Sequence, residues 1–278
     1  WRGDASCLPR LERLVDEQQS LEALWATNLL GGLNDEQARR WIDSPSADIR
    51  RWTVRALGDR HTGLAEFAEL ARSEADIHVR SQLAASAKRM PAELALPIIA
   101  GLATHADDMH DAHMPLMIWW AVEAQAEAWD AVQAWLADEQ LWQPPMFKEH
   151  IAGKLAQRYA AAGTADDLQR CAELVSLAAD DASRNQLIEG FLRAFEGRSL
   201  PALPARLSEV LQAYQASLGE SGLVLALQRD SQGAVEQALA AVKDGSRPLG
   251  LRLELVRALG SAKAEAARPL LLQWACSN

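Results

Sequence analysis

One helical pattern occurs three times in this 278-residue chain. Its first copy is Ile49-Arg50-Arg51-Trp52-Thr53-Val54-Arg55-Ala56-Leu57-Gly58. One helix pair later stands Val79-Arg80-Ser81-Gln82-Leu83-Ala84-Ala85-Ser86-Ala87, and near the end Leu251-Arg252-Leu253-Glu254-Leu255-Val256-Arg257-Ala258-Leu259-Gly260. Ile49 aligns with Val79, Arg50 with Arg80, Thr53 with Leu83, Val54 with Ala84 and Leu57 with Ala87. A single helix pair has too little apolar surface to close a core, so units repeating at this period bury their stripes by stacking. The pattern predicts an α-solenoid.

The rest of the chain reads the same way. Leu8, Leu11, Leu14 and Val15 fall at helical spacing, with Pro9 in a first turn that tolerates it. Ser20 caps a helix carrying Leu21, Leu24, Trp25 and Leu29, and Gly31-Gly32 ends it. Asn34 with Gln37 is a capping-box pattern, and Ser44-Pro45 stops the helix through Trp41 and Ile42. Thr62 caps a helix over residues 63–72. Residues 91–104 form an apolar helix interrupted by Pro97. His105 to Glu123 opens polar and turns almost wholly apolar, as a buried helix in the middle of a stack should. Trp129, Val132, Trp135 and Leu136 mark another helix, and Thr164 with Asp167 starts one through Leu177. No period-two alternation of β-branched residues appears. The expectation is an all-α chain, one domain over 1–278, of about seven irregular HEAT-like helix pairs, with a soft boundary at the proline-bearing 199–204.

Charge and cysteine usage narrow the function classes. With 28 basic against 38 acidic residues the formal charge is −10, opposite to the basic footprint of a nucleic-acid binder. From Met90 to Phe147 there is no Lys or Arg and there are nine carboxylates. Cys7, Cys171 and Cys276 are widely spaced and odd in number, which suits small buried residues better than a disulfide framework or a zinc module. No run is long and apolar enough to span a bilayer. Trp1 and the apolar C-terminal stretch both look like cuts in a longer protein.

The repeated segments resemble the HEAT repeat, whose second helix often reads Asp-x-x-Val-Arg-x-x-Ala-x-x-Ala-Leu; Asp76 to Arg80 fits it best. A narrower resemblance lies in His105-Ala106-Asp107-Asp108-Met109-His110-Asp111-Ala112-His113-Met114-Pro115-Leu116-Met117-Ile118-Trp119-Trp120-Ala121-Val122-Glu123. It is similar to a segment of large planctomycete-type multidomain proteins that reads Asp-x-x-Asp-His-Asn-Leu-Pro-Leu-Met-x-Trp-Tyr-x-x-Glu-Pro. Leu21 to Gly31 resembles another of their segments, so the likeness covers roughly residues 20–135. Those proteins join a sorbosone-dehydrogenase-like propeller, HEAT repeats and a haem-binding cytochrome c domain. This chain resembles the helical region. It has no Cys-x-x-Cys-His and no propeller strands, so neither haem nor dehydrogenase residues carry over. The resemblance implies an extracytoplasmic protein, periplasmic or secreted, and other domains of the same chain as partners.

Few residues suggest chemistry. No phosphate loop, nucleophile elbow or His-Glu-x-x-His is present. His110, Asp111 and His113 have the donor types for a divalent metal, but a solvated turn with carboxylates at a positive helix end is the preferred reading, and they stand only as weak metal candidates. Trp25, Trp52 and Trp120 fall on apolar stripes that predict core packing, while Trp129, Trp135 and Trp142 suit a surface or groove. Arg50, Arg80 and Arg252 recur at one repeat position and predict a ladder of ion pairs along one edge. The resulting expectation is a non-catalytic scaffold without cofactor, mediating contact between domains or proteins, with Asp107, Asp108, Asp111, Trp129 and Trp135 as the interaction surface. It expects neither nucleic-acid binding nor membrane insertion by this segment. The alternative is a HEAT-like DNA glycosylase using Arg50, Arg51, Arg55 and Arg80.

Overall fold

A computed structural model describes residues 4–196, 200–217, 222–229, 231–261, 268–269 and 272. Among these residues every regular element is helical, so the chain is all-α as expected. The α-helices are α1 (Leu8–Gln18), α2 (Leu21–Leu29), α3 (Asp35–Ile42), α4 (Ala47–Gly58), α5 (Phe67–Ser73), α6 (Ile77–Ala87), α7 (Ala92–Ala103) and α8 (Met114–Gln125). They continue as α9 (Trp129–Leu136), α10 (Gly153–Ala162), α11 (Ala165–Leu177), α12 (Asp181–Arg193), α13 (Ala205–Ser217), α14 (Gly222–Gln228), α15 (Ala234–Lys243) and α16 (Leu249–Ser261). Two compact units, Trp1–Leu155 and Ala156–Asn278, divide within α10. The expected soft boundary at 199–204 falls partly outside the described residues; within it the Leu200 N–H donates to the Gln228 carbonyl at 2.9 Å.

In the first unit helices pack on the helix two places along. One layer is α2 on α4, α4 on α6 and α6 on α8; the other is α5 on α7 and α7 on α9. This is the packing expected of stacked helix pairs. Small residues set the closest approaches. A Cβ on Gly58 of α4 would lie 2.5 Å from Ser86 Oγ of α6, and one on Gly101 of α7 would lie 2.8 Å from the Ala68 carbonyl oxygen of α5. Ile49, Val54, Val79, Leu83, Phe67, Leu96 and Ile99 fill the space between layers, each essentially sealed from solvent.

Four side chains at the helix starts, the N-caps Ser20, Ser46 and Asp76 and Asp111 two residues ahead of the His113 N-cap of α8, place the first layer in one register. Ser20, Ser46, Asp76 and Asp111 each accept the backbone N–H three residues on, from Ala23 at 3.2 Å, Ile49 at 3.5 Å, Val79 at 3.2 Å and Met114 at 2.8 Å. Ala23, Ile49, Val79 and Met114 are therefore equivalent, and all four are buried. Ser20 and Asn34 cap as their sequences predict, and Thr164 exchanges hydrogen bonds with Asp167. Thr62 does not cap. Its hydroxyl donates to the Leu57 carbonyl closing α4, so the predicted 63–72 helix shortens to α5.

The aromatic expectations largely invert. Trp120 is 45% exposed and Leu116 40% exposed, because α8 buries Met114, Pro115, Ile118, Ala121, Val122 and Gln125 instead. Trp25, at 38%, is also on the surface, and Trp52 is half-buried. Trp142 is buried, with Nε1 donating to the Leu136 carbonyl. An almost continuously apolar run hides its own register, and Asp111, which accepts the His113 and Met114 N–H groups, marks where α8 begins. Cys7 is exposed, against expectation, and Cys171 is buried. Burial, with the nearby Asp167 charge, pushes the Cys171 thiol up to about 12. Cys276 lies outside the described residues.

In the second unit α11 packs on α12 and α13, and α14 on α15 and α16. Leu227, Ala238, Val242, Leu255 and Leu259 form a core there. The third repeat copy lies in α16, where Arg252 Nε donates to the Val242 carbonyl at 2.9 Å. No helix among the described residues is long and apolar enough to cross a membrane.

Candidate functional site

Most candidate polar residues hold the stack together. Arg50, on the first turn of α4, reaches Ser44 and Pro45 carbonyls of the turn before its own helix. It also grips both oxygens of Glu74, ahead of α6, at 2.7 Å each. Arg80 repeats the arrangement one step on. It takes the Glu74 and Ala75 carbonyls and both oxygens of Asp108, ahead of α8, at 2.7 and 2.6 Å. Hydrogen bonding to Glu74 and Asp108 raises the affinity of Arg50 and Arg80 for their protons. Burial pushes the Glu74 carboxyl upward, but Arg50 and the Asp76 N–H together hold it below the ordinary glutamate range. Arg50 and Arg80 form two rungs of the predicted ladder, and two-point guanidinium–carboxylate geometry gives it direction; Arg252, in the second unit, donates to the Val242 carbonyl.

A second ladder, which sequence reading missed, joins the other ends of the same helices. Arg60 donates to the Leu33 carbonyl, Arg89 to that of Gly58, and Gln125 to those of Ala87 and Met90. Each side chain stands at or just past the end of its helix and donates to carbonyls at or beyond the end of the preceding repeat's helix. In sequence these three are ordinary polar residues at helix ends.

The His/Asp cluster separates into structural roles. Asp108 is buried against Arg80, so the uncompensated acidic span has a counter-charge from outside it. Asp111 accepts the His113 and Met114 N–H groups, which depress its pKa. His105 Nε2 lies 2.8 Å from the Ala71 carbonyl oxygen. Asp107, His110 and His113 are exposed. Among the described residues no group of three or more His, Cys, Asp and Glu side chains is placed to hold a metal. Trp129 and Trp135 are half-buried; Trp135 stands edge-on to Phe147 at 5.6 Å.

The outward side of the first layer collects different residues. Counting from the four helix-start side chains, Trp25, Arg51, Ser81 and Leu116 are equivalent, as are Leu29, Arg55, Ala85 and Trp120. Trp25, Leu29, Leu116 and Trp120, all large, apolar and exposed, belong to this side. Between them Trp25 meets Trp52 edge-on at 4.9 Å, and the Arg55 guanidinium lies 4.7 Å from the Trp52 ring centre. Lys88 Nζ is 5.7 Å from the Trp120 ring centre. A cleft of about 310 Å³ opens among Arg51, Trp52, Arg55, His78, Gln82 and Met117. Ser81, also lining it, donates to Met117 Sδ at 3.4 Å rather than to a base. The arrangement offers aromatic surface and cations for binding, with no nucleophile–base pair. No family model matches the chain, and no curated protein matches it.

Proposed function

We propose that this chain is a non-catalytic helical-repeat scaffold that docks other domains of a longer chain, or another protein, on the outward side of α2, α4, α6 and α8. The observation that carries the reading is the exposure of Trp25, Leu29, Leu116 and Trp120 on one layer of a stack whose buried polar residues serve its own joints. Exposed aromatic and large apolar groups that share a side mark interaction surfaces. Rigid stacking keeps them in fixed relation. The resemblance supplies partners: the propeller and cytochrome c domains of an extracytoplasmic oxidoreductase or electron-transfer protein.

The pairing of Arg50, Arg51, Arg55 and Arg80 with Glu74, Asp48, Asp59 and Asp108 favours this reading over the glycosylase alternative. Two of these arginines are committed to the ladder. The test is a titration of the 278-residue chain with its flanking domains, alongside an assay for turnover. Association without turnover supports a scaffold. Turnover by this chain alone, abolished by a point substitution within it, overturns the reading.

A further inference from the structure

We propose that the cleft between α4, α6 and α8 receives a carboxylate side chain from an acidic, apolar-flanked linear segment of the docking partner. This deepens the docking reading and rests on it.

Charge is the first argument. The chain carries −10 overall, yet the cleft is lined by Arg51, Arg55 and His78 and by no carboxylate. Donor geometry is the second. Arg51 gives Nη2 to the exposed Asp48 at 2.9 Å, and Arg55 meets Asp59 only at 3.7 Å, beyond hydrogen-bond length. A guanidinium has five donors in a planar fork, so both arginines can take a further carboxylate, and two-point pairing is their preferred mode. The Arg55 guanidinium carbon lies 4.7 Å from the centre of the Trp52 ring, which Trp25 buttresses edge-on, so an aromatic contact keeps the cation beside the cleft. Size is the third. About 310 Å³ suits a side chain or two of a peptide and lies at the small end of ligand sites. The flanking Trp25, Leu116 and Trp120 favour apolar residues on either side of the acid.

A nucleic acid fits less well. Its affinity comes from many phosphate contacts, whereas here the cations are few and exposed Asp48 and Asp59 border them.

The test uses fluorescein-labelled short peptides of alternating Glu and Leu, of Gln and Leu and of Lys and Leu, with duplex DNA as a fourth probe. Binding to the 278-residue chain is read by anisotropy. The expected result is that the Glu peptide binds best and weakens between about 0.1 M and about 1 M salt. Arg51→Gln with Arg55→Gln should cost about tenfold in Kd, the order of a charge-assisted hydrogen bond or two, with an unchanged circular-dichroism melt. Glu and Gln peptides binding equally, both lost in Trp25→Ser with Trp120→Ser, would overturn the carboxylate assignment and leave the docking face standing. Failure of every peptide, or DNA binding tightest with loss in the arginine variant, would overturn both.

Discussion

Arg80 and Asp108 face each other through two hydrogen bonds, at 2.7 and 2.6 Å, with 8% and 1% of their side chains exposed. The pair joins α6 to the turn that opens α8. Removing one partner of such a pair leaves a buried charge unmatched, a loss of about 3–5 kcal/mol. Asp108→Asn and Arg80→Ala should each lower chemical-denaturation stability of the first unit by about that order. Arg80→Ala with Asp108→Asn should lose less than the two single changes predict together. Purely additive losses would place the two residues in separate roles.

Acid should loosen the neighbouring joint, where Arg50 of α4 pairs with Glu74 ahead of α6. Glu74 has a folded pKa below its ordinary value, so its contribution is present above the unfolded glutamate range and fades as pH falls through it and below. Loss should therefore begin near about pH 4. Glu74→Gln should flatten that part of the stability–pH curve. An unchanged acid limb would remove Glu74 from the account.

Two tryptophans should respond in opposite ways. Trp142 is sealed, edge-on to Phe147 at 5.1 Å and bonded to the Leu136 carbonyl. Trp142→Ala should cost about 3–5 kcal/mol. Trp120→Ala removes a half-exposed ring and one cation contact and should cost under about 1 kcal/mol. Comparable melting losses for the two would contradict the register marked by Asp111.

The architecture was legible because apolar periodicity and caps are local signals. Ser20, Asn34 and Thr164 announced helix starts, and the Ile49 and Val79 copies announced stacking. The facing of α8 was not legible. Met114 to Ala121 is apolar on every side, so periodicity could not separate buried Ile118 from exposed Trp120. Thr62 misled because α5 begins only at Phe67, which leaves the Thr62 hydroxyl to donate to the Leu57 carbonyl at the end of α4. The roles of Arg60, Arg89 and Gln125 depend on neighbours about a helix pair away, which a single sequence does not mark. Asp108 looked like one of several solvated acids, and only the fold brings Arg80 to it.

The central claim is that the outward side of α2, α4, α6 and α8 binds a partner without supporting the fold. The most direct measurement pairs calorimetric titration against the propeller and cytochrome c domains proposed as partners with a thermal melt, for the wild type and for Trp25→Ser with Trp120→Ser. The account predicts an affinity reduced about tenfold or more, as exposed aromatic anchors require, with a melt lowered by only a few degrees, as the loss of the Trp25–Trp52 and Lys88–Trp120 contacts implies. Unchanged affinity, or affinity lost only together with the melting transition, would contradict it.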